Sequence, residues 1–162
     1  MKTISVMIPC YNEVENAELM ANSIVNVFNE ALPQYDYEIV FIDNCSTDGT
    51  RDVIRNLCEN NPKIKAIFNV TNFGQFNSPF YGICQTTGDC TISIACDFQE
   101  PVTMIPVFVK EWEKGHKIVS GIKTSSKESS RRRAPPYYSR STAGYEHSRR
   151  RSDCIRRILT IS

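Results

Sequence analysis

Three short polar clusters contain the residue types in this chain that could do chemistry. They are Pro9–Glu13, Asp43–Asp48 and Asp97–Pro101, and each directly follows an apolar run typical of a buried strand. In an open α/β sheet the carboxyl ends of parallel strands meet at one edge, beside the crevice where ligands bind. Carboxylates, amides and hydroxyls gathered there suit a ribose, a sugar, or a divalent metal that bridges phosphates. The clusters therefore predict a site for a nucleotide-linked ligand.

The first cluster offers an aromatic ring and a carboxylate. Tyr11 has a flat face on which a base could stack, and Glu13 lies near the amino end of the helix predicted to follow. The alternative is that Asn12 and Glu13 only begin and cap that helix. These residues alone do not decide between the two interpretations.

The second cluster has the same ambiguity, because Asp, Ser and Thr after a strand are ordinary helix-capping residues. Asp43, however, stands at the strand tip, ahead of any cap position. There it can accept hydrogen bonds from a base or a ribose. Two such clusters, after the first and second strands, favour a ligand-binding role for both.

The third cluster combines a carboxylate and an amide oxygen. Asp97 and Gln99 can hold Mg²⁺ or Mn²⁺ together with diphosphate oxygens, because hard cations prefer oxygen ligands. Such a metal would neutralise the charge that develops on a nucleoside-diphosphate leaving group. The alternative is a plain turn before Pro101. A weaker motif, Asn72–Gly74, follows another strand. Gly74 would allow the backbone to approach a ligand closely or to adopt a positive φ, but a simple strand-to-helix turn explains this motif as well.

These clusters need a sheet to hold them together, and the pattern of residues 1–121 predicts one. Strands are predicted at residues 4–8, 37–42, 64–68, 91–96 and 117–122. Helical spacing predicts helices at about residues 19–32, 49–60, 75–86 and 103–114. Pro79 is expected to break or bend the third helix, and Asp48 or Thr47 to cap the second. Alternation of this kind predicts a Rossmann-like three-layer α/β/α domain with a mostly parallel sheet.

The overall composition is that of one soluble globular domain. The chain has 162 residues, of which 41% are hydrophobic and 23% charged. Its 7 cysteines include no Cys-x-x-Cys pair, so we expect thiols in a reducing, cytoplasmic setting rather than a zinc or redox site. No apolar run approaches the roughly 20 residues of a transmembrane helix. Glycine-rich dinucleotide and Walker patterns are absent from the sequence, which disfavours dinucleotide oxidoreductases and P-loop kinases.

The end of the chain differs in kind from the rest. Residues 1–128 carry 10 Lys and Arg against 16 Asp and Glu, whereas residues 129–162 carry nine Arg, no Lys and two acidic residues. So little apolar sequence predicts a disordered Arg/Ser-rich tail at 128–162 after a domain at 1–127, with only Ile155–Ile161 suited to a weak helix or strand. The abrupt change also motivates the hypothesis that the chain is truncated, with a reading-frame change near residue 128.

Together, the clusters resemble the family 2 glycosyltransferases with the GT-A fold, and most of all the dolichol- and polyprenyl-phosphate sugar transferases. The resemblance covers about residues 3–125. Its sequence segments are SVMIPCYNE (5–13), IDNCSTDGT (42–50), NFGQ (72–75), Gly88-Asp89 and DFQEP (97–101).

The resemblance implies transfer of a sugar, usually with inversion, from a UDP- or GDP-linked donor to an acceptor such as a polyprenyl phosphate or a glycan. It implies a role in cell-envelope or glycan biosynthesis, on the cytoplasmic side of the membrane in the lipid branch. A divalent Mg²⁺ or Mn²⁺ would be held by Asp97 and Gln99. The implied nucleotide-sugar contacts are Pro9, Tyr11, Asn12, Glu13, Asp43, Asn44, Ser46, Asp48, Asn72 and Gly74. No catalytic residue is identified. In the lipid-phosphate branch the acceptor phosphate is already a competent nucleophile, so a strong general base is not required.

The sequence departs from the family pattern at two places. Ala95 stands where the family usually has the first carboxylate of Asp-x-Asp, which predicts weaker metal binding or a water as ligand. The acceptor-binding half should follow residue 125, where the Arg-rich tail stands instead.

Two alternative functions follow from these departures. One is a truncated, non-catalytic remnant that still binds a nucleotide sugar. The other is salt-dependent attraction of the basic tail to nucleic acid or an anionic membrane. Specific nucleic-acid binding is not expected, because the tail offers no aromatic platform or folded groove.

Overall fold

The structure, a computed structural model, describes residues 1–121 and a strand near the end of the chain. The strands are β1 (Thr3–Cys10), β2 (Asp36–Asp43), β3 (Ile64–Phe68), β4 (Cys90–Ser93), β5 (Ile118–Gly121) and β6 (Ile158–Ile161). The helices are α1 (Ala17–Ala31), α2 (Thr50–Asn60), α3 (Gly74–Gln85) and α4 (Ile105–Glu113), with a 3₁₀ turn at Val102–Met104. All strands pair in parallel, in the order β3-β2-β1-β4-β6-β5.

Helices cover both faces of the central strands. Ile4, Val6 and Ile8 of β1 point to one face and join the main core with α1 and α4. Met7 points to the other face, where Gly82 lets α3 approach closely; a Cβ there would lie 3.2 Å from Met7 and 3.0 Å from Ile42. Burial on both faces explains why these strands are continuous apolar runs rather than alternating ones.

The strand order of the sheet reverses beside β1. The chain first moves outward from β1 to β2 and β3, and then returns to the other side of β1 to form β4. Ligands of open α/β sheets bind where the order reverses in this way. Cys10 at the end of β1 is in register with Asp43 at the end of β2, so the first two clusters leave the sheet side by side.

A buried polar cluster aligns the strands at the opposite, amino edge. The Glu38 carboxylate accepts hydrogen bonds from Ser5 Oγ at 2.6 Å, Lys65 Nζ at 2.7 Å and Thr87 Oγ1 at 2.9 Å. Burial alone would raise the pKa of Glu38, but the hydrogen bonds from Lys65, Ser5 and Thr87 outweigh it and lower the pKa to about 2. Glu38 therefore stays charged and joins β1, β2 and β3 to the turn before β4.

Gly88 and Asp89 complete this amino-edge cluster. The Gly88 N–H donates to Ser5 Oγ at 2.9 Å, and a Cβ on Gly88 would lie only 2.4 Å from that oxygen. Asp89 pairs with the start of β1 twice, accepting from Thr3 N at 3.0 Å and donating its own N–H to Thr3 O at 2.7 Å. The Gly-Asp pair is thus explained by packing at the amino edge of the sheet.

The predicted fold class is confirmed, with differences at element ends. The fourth strand ends at Ser93 rather than at residue 96. The helix predicted at 103–114 is divided into the 3₁₀ turn and α4. Pro79 does not break α3, which continues through it. Gly49, and neither Asp48 nor Thr47, is the N-cap residue of α2.

The structure describes only a small part of the predicted tail, so it tests the tail prediction only there. The sixth strand, Ile158–Ile161, lies inside the segment that the sequence marked as suited to a helix or strand, and it inserts between β4 and β5. The disorder and charge-driven binding expected for the other tail residues fall outside the described residues. The domain boundary at residue 127 stays a prediction.

Two further expectations concern cysteines and membrane spans. The free thiols among the described residues are Cys10, Cys45, Cys58, Cys90 and Cys96. Cys84 is disulfide-bonded, which differs from the expectation of thiols throughout. In the part of the chain that the structure describes, no helix combines the length and apolarity needed to cross a membrane.

Candidate functional site

Four loops leave the carboxyl edge of the sheet, and they carry most of the predicted site residues. We call them the first loop (residues 11–16, after β1), the second (44–49, after β2), the third (69–73, after β3) and the fourth (94–101, after β4). Pro9 and Asp43 lie within the last two residues of their strands, and Gly74 is the first residue of α3. The sheet therefore brings all the predicted residues to one edge.

The first and second loops are joined by a reciprocal pair of hydrogen bonds at Asn12. Its backbone N–H donates to Ser46 Oγ at 2.9 Å, and its side-chain Oδ1 accepts from the Thr47 N–H at 2.9 Å. Asn12 therefore reaches across to the second loop. Neither Asn12 nor Glu13 caps the following helix, because α1 begins at Ala17 with Asn16 as its N-cap residue.

Asp48 makes a second connection between these loops. Its carboxylate accepts from the Val14 N–H at 3.1 Å and from the Thr50 N–H at 3.0 Å. Thr50 Oγ1 in turn accepts from the Glu13 N–H at 2.8 Å. Desolvation would raise the pKa of Asp48, but hydrogen bonds from Thr50 and Val14 outweigh it and lower that pKa. Asp48 thus holds the start of α2 against the first loop.

Asp43 is completely buried, at 0% exposure, and shapes the second loop from within. Its carboxylate accepts from the backbone N–H groups of Cys45 at 3.1 Å and Ser46 at 3.2 Å, and from Arg51 Nε at 2.6 Å. Arg51 Nη2 also donates to the Asn69 carbonyl in the third loop. The carboxylate is engaged within the protein, so direct contact of Asp43 with a nucleotide stays a prediction.

Sequence reasoning missed Arg51, and its spacing gives little signal. It follows Asp43 by eight residues, in the first turn of α2, which matches no side-chain pairing rule for a strand or a helix. The only available signal was the single basic residue next to a predicted helix start. Its partner becomes evident once the loop is folded.

Asn44 holds the third loop in place. Its Nδ2 donates to Asn72 Oδ1 at 2.9 Å, and its Oδ1 accepts from the Phe73 N–H at 2.9 Å and from Asn69 Nδ2 at 3.2 Å. Asn72 Oδ1 also accepts from the Gly74 N–H at 2.8 Å, where Gly74 has φ +84° as its motif suggested. The buried amide of Asn44 thereby fixes the backbone that starts α3.

One non-glycine residue in each of three loops has a left-handed backbone. They are Asn12 with φ 56°, Cys45 with φ 69° and Phe98 with φ 57°. Such conformations are uncommon outside glycine and are found often at functional sites, where the surrounding structure maintains them. All three belong to the clusters that follow β1, β2 and β4.

The fourth loop presents the candidate metal ligands to solvent. Asp97 and Gln99 are both exposed, and Asp97 Oδ1 accepts from the Gln99 N–H at 3.1 Å. Glu100 Oε2 accepts from the Ala95 N–H at 2.9 Å and so closes the base of the loop. Among the described residues, no group of three or more His, Cys, Asp or Glu side chains is placed to hold a metal. The available set, one carboxylate and one amide oxygen, fits a hard cation that takes its other ligands from a diphosphate and water.

The remaining predicted groups differ in exposure. The Tyr11 ring is 49% exposed at the edge beside β1. Glu13 is half-buried and accepts from Asn16 Nδ2 at 2.7 Å. Below them, a hydrogen bond with Cys96, together with burial, raises the pKa of Cys10 well above its usual value. A thiol held protonated in this way is not a nucleophile, so Cys10 belongs to the packing of the site.

Comparisons with known proteins agree with this arrangement. A bactoprenol glucosyl transferase of Shigella phage SfX is 35% identical over 116 residues, which cover 72% of this chain and 37% of the relative. An undecaprenyl-phosphate 4-deoxy-4-formamido-L-arabinose transferase of Pseudomonas syringae is 32% identical over 140 residues, covering 83% of this chain and 40% of the relative. The chain thus spans well under half of these proteins.

Solved structures support the fold. A mannosyltransferase from Pyrobaculum calidifontis, in complex with GDP-Man and Mn²⁺, superposes with a TM-score of 0.57 at 24% identity, over 74% of this chain and 35% of the other. TarS 1–349 of S. aureus in complex with UDP superposes with a TM-score of 0.57 at 23% identity. The superposition covers 82% of this chain and 38% of the TarS chain. The family model described as glycosyl transferase family 2 matches residues 5–158 of this chain. With that match extending over nearly the whole sequence, and with the parallel sheet and strand-end loops in place, the chain belongs to glycosyl transferase family 2.

Proposed function

We propose that this chain binds a nucleoside-diphosphate sugar in the crevice at the carboxyl edge of its sheet and transfers the sugar to an acceptor. The observation that carries the proposal is the hydrogen-bonded unit formed by the first, second and third loops at the place where the strand order reverses. Preorganised backbone at such a switch point is the usual setting of a nucleotide site in an open α/β sheet.

Within this site, we divide the predicted residues by whether their side chains are engaged in holding one loop against another. Tyr11 is exposed, and the side chain of the half-buried Glu13 bonds within its own loop, to Asn16; we assign both direct contact with the nucleotide, with Tyr11 stacking on the base. The side chains of the other group are engaged in holding the loops, and they support the site through its shape: Asn12, Asp43, Asn44, Ser46, Asp48 and Asn72. Pro9 ends β1 and Gly74 begins α3, so both act through the backbone.

Asp97 and Gln99 would hold Mg²⁺ or Mn²⁺ on the diphosphate. When bound, the ion supplies positive charge that stabilises the departing nucleoside diphosphate. Ala95 contributes no ligand, so this chain offers fewer protein ligands than an Asp-x-Asp sequence and relies more on phosphate and water oxygens.

For the acceptor we propose a polyprenyl phosphate, because two of the relatives are named as bactoprenol and undecaprenyl-phosphate transferases. An acceptor phosphate oxygen would form the new bond to the anomeric carbon while the bond from that carbon to the diphosphate oxygen breaks. A phosphate is already anionic near neutral pH, so the step needs no strong general base. We place this reaction on the cytoplasmic side of the membrane, as the family resemblance implies.

Isothermal titration of the full chain with UDP, GDP and their sugar conjugates, with and without Mn²⁺, tests donor binding. We expect one nucleotide series to bind, and binding to strengthen with Mn²⁺ in wild type but much less in Asp97→Asn. Glu59→Gln, which neutralises an exposed carboxylate on α2, is the matched control and should behave as wild type. The proposal fails if neither nucleotide binds in the presence of the metal.

Donor binding without transfer is the second candidate function. It is favoured by the reduced set of protein metal ligands, in which Ala95 takes the place of a carboxylate. Incubation of the chain with radiolabelled sugar nucleotide and polyprenyl phosphate distinguishes sugar transfer from donor binding alone. Label appearing in the lipid fraction supports transfer, whereas tight donor binding with no labelled lipid supports the binding function.

A further inference from the structure

Phe98 is held in an unfavourable backbone conformation with much of its ring in solvent. Its φ is 57°, and the residue is 40% exposed at the carboxyl edge of the sheet. A bulky residue gains nothing by adopting this conformation, which glycine or asparagine adopts far more readily.

The other two left-handed residues have local interactions that offset their strain. Asn12 exchanges hydrogen bonds with Ser46 and Thr47, and the Cys45 N–H donates to Asp43. Phe98 is different, because within the described residues its ring belongs neither to the buried core nor to the apolar side chains packed against it. An exposed aromatic ring in a strained loop is better explained by a ligand than by the fold.

The position of Phe98 indicates which ligand. It lies between Asp97 and Gln99, whose hydrogen bond closes the turn that displays the ring. Under the proposed function these two residues hold the diphosphate through a metal. The group attached beyond the diphosphate is the sugar, which places the sugar next to the fourth loop.

We propose that the Phe98 ring packs against the apolar C–H face of the donor sugar and so contributes to recognition of the transferred group; this rests on the proposed function. A pyranose ring presents a face of C–H bonds, and the negative face of an aromatic ring is complementary to it. The contact is available only to a sugar nucleotide, and the free nucleoside diphosphate lacks the group that makes it.

The test compares two affinities for each variant: that for the nucleoside diphosphate, and that for the same nucleotide carrying its sugar. Phe98→Asn removes the ring while keeping a residue that tolerates the left-handed backbone, and Phe98→Tyr keeps the ring. We expect Phe98→Asn to weaken sugar-nucleotide binding about 2- to 10-fold, the range of one aromatic contact, with the free nucleotide unaffected. Phe98→Tyr and the exposed-ring control Phe80→Ala should keep the wild-type ratio of the two affinities.

The thermal midpoint of Phe98→Asn should equal or exceed that of wild type, since a strained residue is replaced by a tolerant one. The inference is overturned if Phe98→Asn leaves the ratio of the two affinities unchanged, if it weakens both ligands equally, or if it changes only the KM for the acceptor. Absence of any nucleotide binding by wild type would instead refute the proposed function, and with it this inference.

Discussion

Replacing Arg51 by methionine should destabilise the protein by leaving a buried carboxylate without its charged partner. The Asp43 side chain is 0% exposed and the Arg51 side chain 27% exposed, and their N–O distance is 2.6 Å. Methionine keeps an unbranched apolar stem beside Phe68, over which the guanidinium lies 5.7 Å from the ring centroid. The substitution therefore removes the charge and the hydrogen bonds while preserving much of the packing.

The magnitude follows from the burial of the two groups. Removing one partner of a buried ion pair costs about 3–5 kcal/mol, because the other charge stays desolvated and unpaired. Partial exposure of Arg51 admits some solvent, so we expect the lower end, about 3 kcal/mol.

Urea unfolding followed by circular dichroism at pH 7 measures this loss, and Arg55→Met is the matched control. Arg55 lies over the same Phe68 ring at 4.9 Å, but its partner Asp52 is 82% exposed. An exposed pair of this kind contributes about 0–1 kcal/mol. The reasoning is refuted if Arg51→Met and Arg55→Met lose the same free energy of unfolding. If it holds, adding Asp43→Asn to Arg51→Met should cost less than the sum of the two single changes, since the partners are coupled.

Three further predictions concern the amino-edge cluster and the fourth loop. The pKa of Glu38 is lowered from 4.5 to about 2, so its contribution to stability is complete above about pH 4.5 and is lost as the pH falls toward 2. In urea unfolding experiments, the free energy of unfolding of Glu38→Gln should therefore fall by about 3 kcal/mol less than that of wild type between pH 6 and pH 2. Parallel pH profiles of the two proteins would contradict this. Gly88→Ala should lower the free energy of unfolding by about 1–3 kcal/mol, because its Cβ would overlap Ser5 Oγ; a loss below about 0.5 kcal/mol would mean that the turn adjusts freely. Asp97→Asn should weaken Mn²⁺-dependent nucleotide binding about tenfold or more in titration calorimetry, with metal-free binding unchanged, and an equal loss in both conditions would place Asp97 outside the metal site.

The sequence predicted the fold and the edge of the sheet at which the polar clusters meet, because both depend on short-range patterns. Apolar runs such as Ile39–Ile42 define strands that are buried on both faces, and the polar residues after them must then meet at one edge of a parallel sheet. Buried strands and their polar ends can be recognised without any knowledge of side-chain contacts. The sequence therefore predicted Asp43 at the end of β2, where it lies, without revealing that its carboxylate is buried and accepts hydrogen bonds from the second loop.

The contacts that stabilise the sheet and its loops were not predictable, because they join residues far apart in the chain. Glu38 stands inside a strand, and its Thr87 partner is 49 residues away. The continuation of α3 through Pro79 likewise depends on packing against β1 and β2, which overrides the local preference of proline. The N-cap of α2 was also predicted wrongly, since Gly49, and neither Asp48 nor Thr47, directly precedes that helix.

The hydrogen bonds between the loops have a consequence for exchanging loops between members of the family. Asn12 is bonded to the second loop, and Asn44 of the second loop is bonded to the third, so a loop transplanted alone would lose partners on one or both sides. Substitutions in contact through such bonds are expected to be strongly non-additive. A chimaera within this family should therefore inherit three segments together from the same parent: residues 11–16, 44–50 and 69–74.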